Sequence, residues 1–182
     1  TGSTDKTVRL VPAADGEPMR LGQHADAITT LGTNGTGTLL ASGDASGHLL
    51  LWNPADGQLI GKLGAHQGAL AGVAFHPSKP QMISAGANGT VKHWTLPLVS
   101  PLVLPAHETE ITDVLFGPKG QLAYVADLAT LQAINVADGK PLRSFAGPQA
   151  PITSLATNTA GTVLVAATRE GKVRFWNTED GA

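Results

Sequence analysis

Two columns of residues recur along this chain at intervals close to 41, and a period of that length points to a row of small, similar units. The first column runs through AITTLGT from Ala27, ALAGVAF from Ala69, EITDVLF from Glu110 and PITSLAT from Pro151. Its leading apolar residues, Ile28, Leu70, Ile111 and Ile152, are 42, 41 and 41 positions apart. The second runs through TVRLV from Thr7, HLLLW from His48, TVKHW from Thr90, TLQAI from Thr130 and KVRFW from Lys172. It closes on Val11, Trp52, Trp94, Ile134 and Trp176, at intervals of 41, 42, 40 and 42. Two independent columns keep one period over nearly the whole chain.

The texture inside each period is that of strands. Short β-branched and aliphatic runs are bounded every 8–12 residues by Gly, Asn, Asp or Pro. No helical i, i+3, i+4, i+7 spacing survives without a Gly or Pro intruding. Asn88-Gly89 and Glu170-Gly171 read as tight turns between paired strands, where a positive φ is needed. Asn34-Gly35, Lys119-Gly120 and Ala160-Gly161 punctuate the preceding hairpin, and Asp15-Gly16, Asp56-Gly57 and Asp138-Gly139 follow the third strand. Each unit is therefore expected to be four strands, a to d. In the first complete unit these fall near Ile28–Thr33, Leu39–Ser42, His48–Asn53 and Gln58–Leu63. The opening residues supply only c and d, near Thr7–Val11 and Met19–Leu21, and the last supply a, b and c. Seventeen strands are expected in all.

With these slots in view, the chain resembles a run of WD40 repeats, the units of a β-propeller. The family pattern has a His before strand a, a small-residue strand b, an Asp in the b–c turn and a Trp closing c. His24, His66 and His107 match the His position, and Pro148 stands there in the last repeat. Trp52, Trp94 and Trp176 match the Trp position, with Val11 and Ile134 substituting. The b–c turn offers Asp5, then Ser46, Asn88, Leu128 and Glu170, while Ser42 and Ser84, but not Tyr124 or Ala166, fit the strand-b hydroxyl. Neither the Trp-Asp nor the Gly-His dipeptide occurs. The resemblance implies an all-β fold, a partial propeller of about four blades with four antiparallel strands each. The unit boundaries follow as 1–23 (partial blade), 24–65, 66–106, 107–147 and 148–182 (partial repeat). The third complete repeat, from His107, is the most degenerate. The resemblance also implies a buried strut of His, hydroxyl, acid and Trp, for example His24, Ser42 and Trp52 with Ser46 or Asp44.

Composition removes most chemistries. With no Cys there is no disulfide, thiolate zinc site, cysteine nucleophile or covalent c-type haem attachment. Lys+Arg 12 against Asp+Glu 14 gives a net charge of −2, without the basic footprint of a nucleic-acid or anionic-membrane binder. At 18.6 kDa a compact chain buries roughly 70% of its unfolded surface, so a core is expected. The longest uncharged stretch, between Arg143 and Arg169, is broken by Pro148, Pro151, Asn158 and Gly161, which excludes a spanning helix and points to a soluble protein.

The candidate motifs weigh toward structure. His24, His48, His66, His76, His93 and His107 show no HExxH and no His-x-His, so no metal site is expected. Asp44-Ala45-Ser46-Gly47 and Asp5-Lys6-Thr7 lack the continuation of a calcium loop and read as turns. Ser42-Gly43 and Gly2-Ser3 lack the frame of a nucleophile elbow. The carboxylate pairs Glu108/Glu110 and Glu179/Asp180 read as surface groups, and the Gly32–Gly37 stretch lacks the ending of a phosphate loop. Leu96 to Ala106, with Pro97, Pro101 and Pro105, reads as an outer strand that tolerates proline, the alternative being a peptide-docking lip.

No catalytic residue and no cofactor is therefore expected. The expected function is a non-catalytic scaffold for protein–protein interaction or assembly. The alternative is the propeller portion of a larger bacterial enzyme or c-type cytochrome fusion. The expected partners are proteins, or further copies meeting open blade faces such as those bearing Val8 and Val173, with no nucleic acid and no membrane insertion. The opening Thr-Gly-Ser-Thr-Asp, without an initiator Met or leader, suggests a mature product or an excerpt of a longer propeller.

Overall fold

A computed structural model describes residues 1–13, 15–97, 102–104, 107, 109–128, 130–146 and 150–181. Among these residues there is no helix; seventeen strands build five antiparallel sheets. The first sheet pairs β1 (Thr7–Leu10) with β2 (Met19–Gln23). The second orders β3 (Ile28–Thr33), β4 (Leu40–Asp44), β5 (His48–Trp52) and β6 (Leu59–Gly64). The third holds β7 (Leu70–Phe75), β8 (Gln81–Gly86), β9 (Val91–Thr95) and β10 (Leu102–Val103). The fourth holds β11 (Ile111–Phe116), β12 (Leu122–Asp127), β13 (Leu131–Asn135) and β14 (Pro141–Ser144). The fifth holds β15 (Ile152–Thr157), β16 (Val163–Thr168) and β17 (Val173–Asn177). Neighbouring strands pair antiparallel, and strand order follows chain order in every sheet.

The period-2 alternation of the strands explains why the sheets stand side by side. Leu49 and Leu51 pack into one cluster with Leu70, Val73, Met82 and Trp94 of the next sheet. Leu50 and Trp52, between them in sequence, face the other way and meet Val8, Leu21 and Leu40. On β12, Ala123 and Val125 point into one cluster while Tyr124 and Ala126 point into the next. A strand buried on both faces must be apolar at odd and even positions alike. That is why HLLLW and LAYVAD read as continuous runs. Each Leu buried in this way stabilises by about 1.5–3 kcal/mol. The first strands β3, β7, β11 and β15 lie beside one another and form the inner edge of the fan. Thr29 Oγ1 donates across that edge to the Leu70 carbonyl at 2.6 Å, and Asp113 accepts the Leu155 amide at 2.6 Å.

Several details depart from the expectation. Gly2 bridges Val8 in antiparallel fashion, so the first residues contribute the end of a strand b as well as c and d. Val8 is fully buried, not part of an open face; among the described residues the open face is that of the fifth sheet, where Val173 and Phe175 are 57% and 67% exposed. In the first a–b turn the positive φ falls on Gly37, not Gly35. Strand d of the third sheet is present but only two residues long, and it is outermost, as an outer-strand reading requires. Pro101, Pro105 and Ala106 in that segment lie outside the described residues, as do Pro148 and the boundaries at 106, 147 and 148.

Register also corrects two slot assignments. Ser42 pairs with Leu50, Ser84 with Lys92 and Ala166 with Arg174, and the residue in that row of the fourth sheet is Val125, paired with Gln132. Tyr124 is therefore one place off the hydroxyl slot and faces the opposite cluster. The cause is a b–c turn one residue shorter, closing from Asp127 to Thr130 where the third sheet closes from Gly86 to Thr90. The same shortening gives the 40-residue interval in the sequence. The acid of the fourth sheet is Asp127 at the end of β12, not Leu128 in the turn, and it pairs with Ile111 as Asp44 pairs with Ile28.

Candidate functional site

Three buried polar clusters hold most of the residues singled out in the sequence. In the second sheet, the His24 ring lies between Asp44 and Ser42, with Nδ1 3.0 Å from Asp44 Oδ2 and Nε2 2.6 Å from Ser42 Oγ. Trp52 Nε1 donates to the same Ser42 oxygen at 2.7 Å. The acid is Asp44, not Ser46; Ser46 instead donates its amide and hydroxyl to Asp44 Oδ1, which also accepts the His48 amide. Burial works to raise the Asp44 carboxyl, but the bonds from His24, the His48 amide and Ser46 outweigh it and hold the carboxyl below the ordinary aspartate value.

Asp44, His24 and Ser42 have the order and contacts of a hydrolase triad, yet the arrangement cannot present a nucleophile. His24, Ser42 and Asp44 are all buried. The Ser42 oxygen is wholly buried under the Trp52 indole that donates to it, so in this packing a carbonyl carbon has no approach to it. What the geometry does provide is a partner for each side chain of this cluster, His24, Ser42, Asp44 and Trp52.

The third sheet carries the same construction without the carboxylate. Trp94 Nε1 donates to Ser84 Oγ at 2.9 Å, and Ser84 Oγ meets His66 Nε2 at 2.8 Å. His66 Nδ1 meets Thr90 Oγ1 at 2.8 Å, and Thr90 passes its proton to Asn88 Oδ1 at 2.8 Å. Burial, reinforced by the Lys92 ammonium, pulls the His66 imidazole down to about 4. The fourth sheet keeps only His107 and Asp127, 3.2 Å apart, since Val125 and Ile134 occupy the Ser and Trp slots. In the fifth, Trp176 Nε1 donates to the Ala146 carbonyl at 3.0 Å, because Ala166 offers no hydroxyl. Asp5 lies in the first turn, exposed, and accepts from the Thr7 hydroxyl and amide. Those bonds, the hydroxyl first, hold its carboxyl below the ordinary value.

His24, His66 and His107 belong to different sheets, while His48 meets Ser46 at 3.0 Å and stands 3.5 Å from the Asp44 carboxylate that His24 also faces. His76, one of the six histidines of the sequence, is a buried joint between two sheets. Its Nδ1 accepts the Ser78 and Lys79 amides at 3.0 Å, and its ring stands edge-on to Phe116 with centroids 5.3 Å apart. Burial first, then Lys79, depresses its imidazole. A His two residues before Ser in a Pro-containing turn was the available signal. Among the described residues no group of three or more His, Asp or Glu side chains could hold a metal ion. Glu108 lies outside the described residues, and its proposed companion Glu110 is exposed.

Glu110 belongs to a repeating surface feature. On one rim the second to fifth sheets each close with a rung between the residue before strand a and the b–c turn. The bonds run from the Ala45 amide to the Ala27 carbonyl, Ala87 to Ala69, Leu128 to Glu110 and Arg169 to Pro151, at 2.9, 2.9, 3.2 and 2.9 Å. Alanines on the second and third sheets leave a shallow shelf, and Glu110 and Arg169 stand at the far side. A depression of about 290 Å³ opens there between Thr29, Ala69, Ala87, Glu110, Thr153 and Arg169. The opposite rim carries inter-sheet clefts of about 350 Å³ beside Lys119 and Thr162 and about 280 Å³ beside Phe75 and Lys79.

Five adjacent sheets, three of them complete four-stranded blades, with His–hydroxyl–Trp struts between strands, define a partial β-propeller. The chain belongs to the WD domain, G-beta repeat family (WD40), whose profile matches residues 17–53, 57–95 and 139–177, together more than half of its length. The matches begin at an outer strand and run through the next a, b and c, and they pass over the fourth sheet's degenerate repeat. Among its relatives, Actin-interacting protein 1 of Drosophila melanogaster is 26% identical over all of this chain and 31% of that protein. WD repeat-containing protein 1 of Xenopus tropicalis is 24% identical, covering all of this chain and 32% of its own length. Angio-associated migratory cell protein of Homo sapiens is 25% identical, with 100% and 42% covered. The chain thus spans less than half the length of these relatives.

Proposed function

We propose that this chain is a non-catalytic scaffold that offers its rung-bearing rim to a protein partner. The observation that carries the reading is the contrast between interior and rim. The clusters with catalytic residue types are sealed, and Ser42 and Ser84 are wholly buried. The rim, by comparison, presents a small-residue shelf beside an exposed Glu110 and Arg169, a surface that a polypeptide can approach closely. The His24, His66 and His107 clusters then serve the fold, holding the blades that place the rim.

Actin is the first partner to test, because one relative carries that interaction in its name. Purified chain is titrated with actin filaments in a sedimentation assay, alongside Glu110→Arg and Arg169→Glu. Saturable binding that falls about tenfold in the rim variants supports the reading, a loss of about 1.4 kcal/mol. Saturable binding that is indifferent to both substitutions contradicts the rim as the docking surface. Turnover of ester or phosphate substrates abolished by Ser42→Ala would contradict the non-catalytic assignment itself.

A further inference from the structure

We propose that the third sheet is an acid-sensitive joint: its strut ends in neutral groups, so protonation of His66 opens β8 and β9 while the Asp44-anchored second sheet stays closed. The argument begins with the direction of the hydrogen bonds. Trp94 donates to Ser84, so the Ser84 proton is free to go to His66 Nε2. His66 then donates from Nδ1 to Thr90, and Thr90 donates to Asn88 Oδ1. Every donor points one way, and His66 must be neutral for the chain to hold. A second proton on Nε2 would face the Ser84 oxygen as a donor and leave the Ser84 proton without its acceptor.

The second sheet has the same serine conflict but a different compensation. There Nδ1 faces the Asp44 carboxylate at 3.0 Å, so an imidazolium would gain an ion pair in a buried site. His66 gains none. The charged group that faces it is Lys92 on β9, and Lys92 repels a proton. From β8 it meets Ser84, from the b–c turn Thr90 and Asn88, and from the preceding sheet the Gly47 carbonyl, which takes the His66 amide; the Ser84 backbone and Asn88 favour the proton, but burial and Lys92 outweigh them. None of these can supply a negative charge. The sign follows: the unfolded imidazole takes its proton near 6.5 and the folded one near 4, so acid draws the joint open as pH falls between those values.

The test is amide hydrogen exchange read by mass spectrometry on the whole chain at a series of pH values, corrected for intrinsic rates. Protection in β8 and β9 is expected to fall more than about tenfold between pH 6.5 and pH 4.5, one pH unit of linkage or more, while β4 and β5 keep theirs. Equal loss in both sheets at the same pH, or no loss in β8 and β9, overturns the proposal. Asn88→Asp supplies the missing carboxylate with little change of shape. It is expected to move the loss to lower pH and to raise the His66 titration followed by imidazole NMR, by about one unit or more. An unchanged His66 titration in that variant also overturns it.

Discussion

Ser42 is a single hydroxyl that serves two rings, and its loss isolates what a strut contributes. Ser42→Ala leaves the Trp52 indole N–H and His24 Nε2 buried without their partner. A cost of about 1–3 kcal/mol is expected in denaturant melts, the penalty of stranding a buried polar group. Trp52→Ala and Trp94→Ala should cost more, about 3–5 kcal/mol each, because both rings are almost fully buried. Asp44 adds a pH signature of its own. Its carboxyl titrates below 3.8 in the fold, so it contributes stability that is present above that value and is lost as pH falls through the lower folded value. Asp44→Asn should remove this limb from the stability–pH curve, which chemical melts between pH 2.5 and pH 5 would reveal as a flatter profile.

At the scale of the element, two glycines with the same backbone separate conformation from contact. Gly47 and Gly171 both sit in b–c turns, with φ of +90° and +75°. A Cβ on Gly171 meets open space, whereas on Gly47 it would lie 2.1 Å from the His66 carbonyl oxygen. Gly171→Ala should therefore cost only the left-handed strain, about 1 kcal/mol. Gly47→Ala should cost several times more, since the junction between two sheets has to separate. Equal thermal shifts for the two would refute the close approach. Such turns were legible in the sequence because glycine takes a positive φ without steric cost, although Lys6 holds φ +68° in the first b–c turn without a glycine. The seventeen strands were legible for the same reason, since turn residues bracket every apolar run. What was hidden was register. A one-residue deletion in the fourth sheet's turn leaves the hydrophobic rhythm intact, so nothing local betrays that Val125 has replaced Tyr124 in the slot. The acid was hidden as well, because Asp44 at the end of β4 and an acid in the turn reach the same histidine from different backbone positions.

The whole molecule is a series of four apolar interfaces between five sheets, and one position in the repeat reports where the series stops. Val8, Leu49, Val91 and Leu131 are fully buried by a following sheet, while Val173 in the same slot is 57% exposed. Leu131→Ala should cost about 2–5 kcal/mol, and Val173→Ala should stay within about 0.5 kcal/mol if nothing covers that face. Coverage by a second copy would instead appear as a concentration-dependent effect of Val173→Ala in sedimentation velocity. The central claim, that the recurring His, Ser and Trp side chains of these repeats form buried struts rather than exposed chemistry, is tested most directly by the indole N–H groups. In hydrogen-exchange NMR near neutral pH the Nε1–H of Trp52 and Trp94 should both be strongly protected, and Ser42→Ala and Ser84→Ala should each release its own indole by at least about tenfold relative to the other. Fast exchange of both indoles in the unmodified chain, as for a solvent-facing ring, would contradict the account.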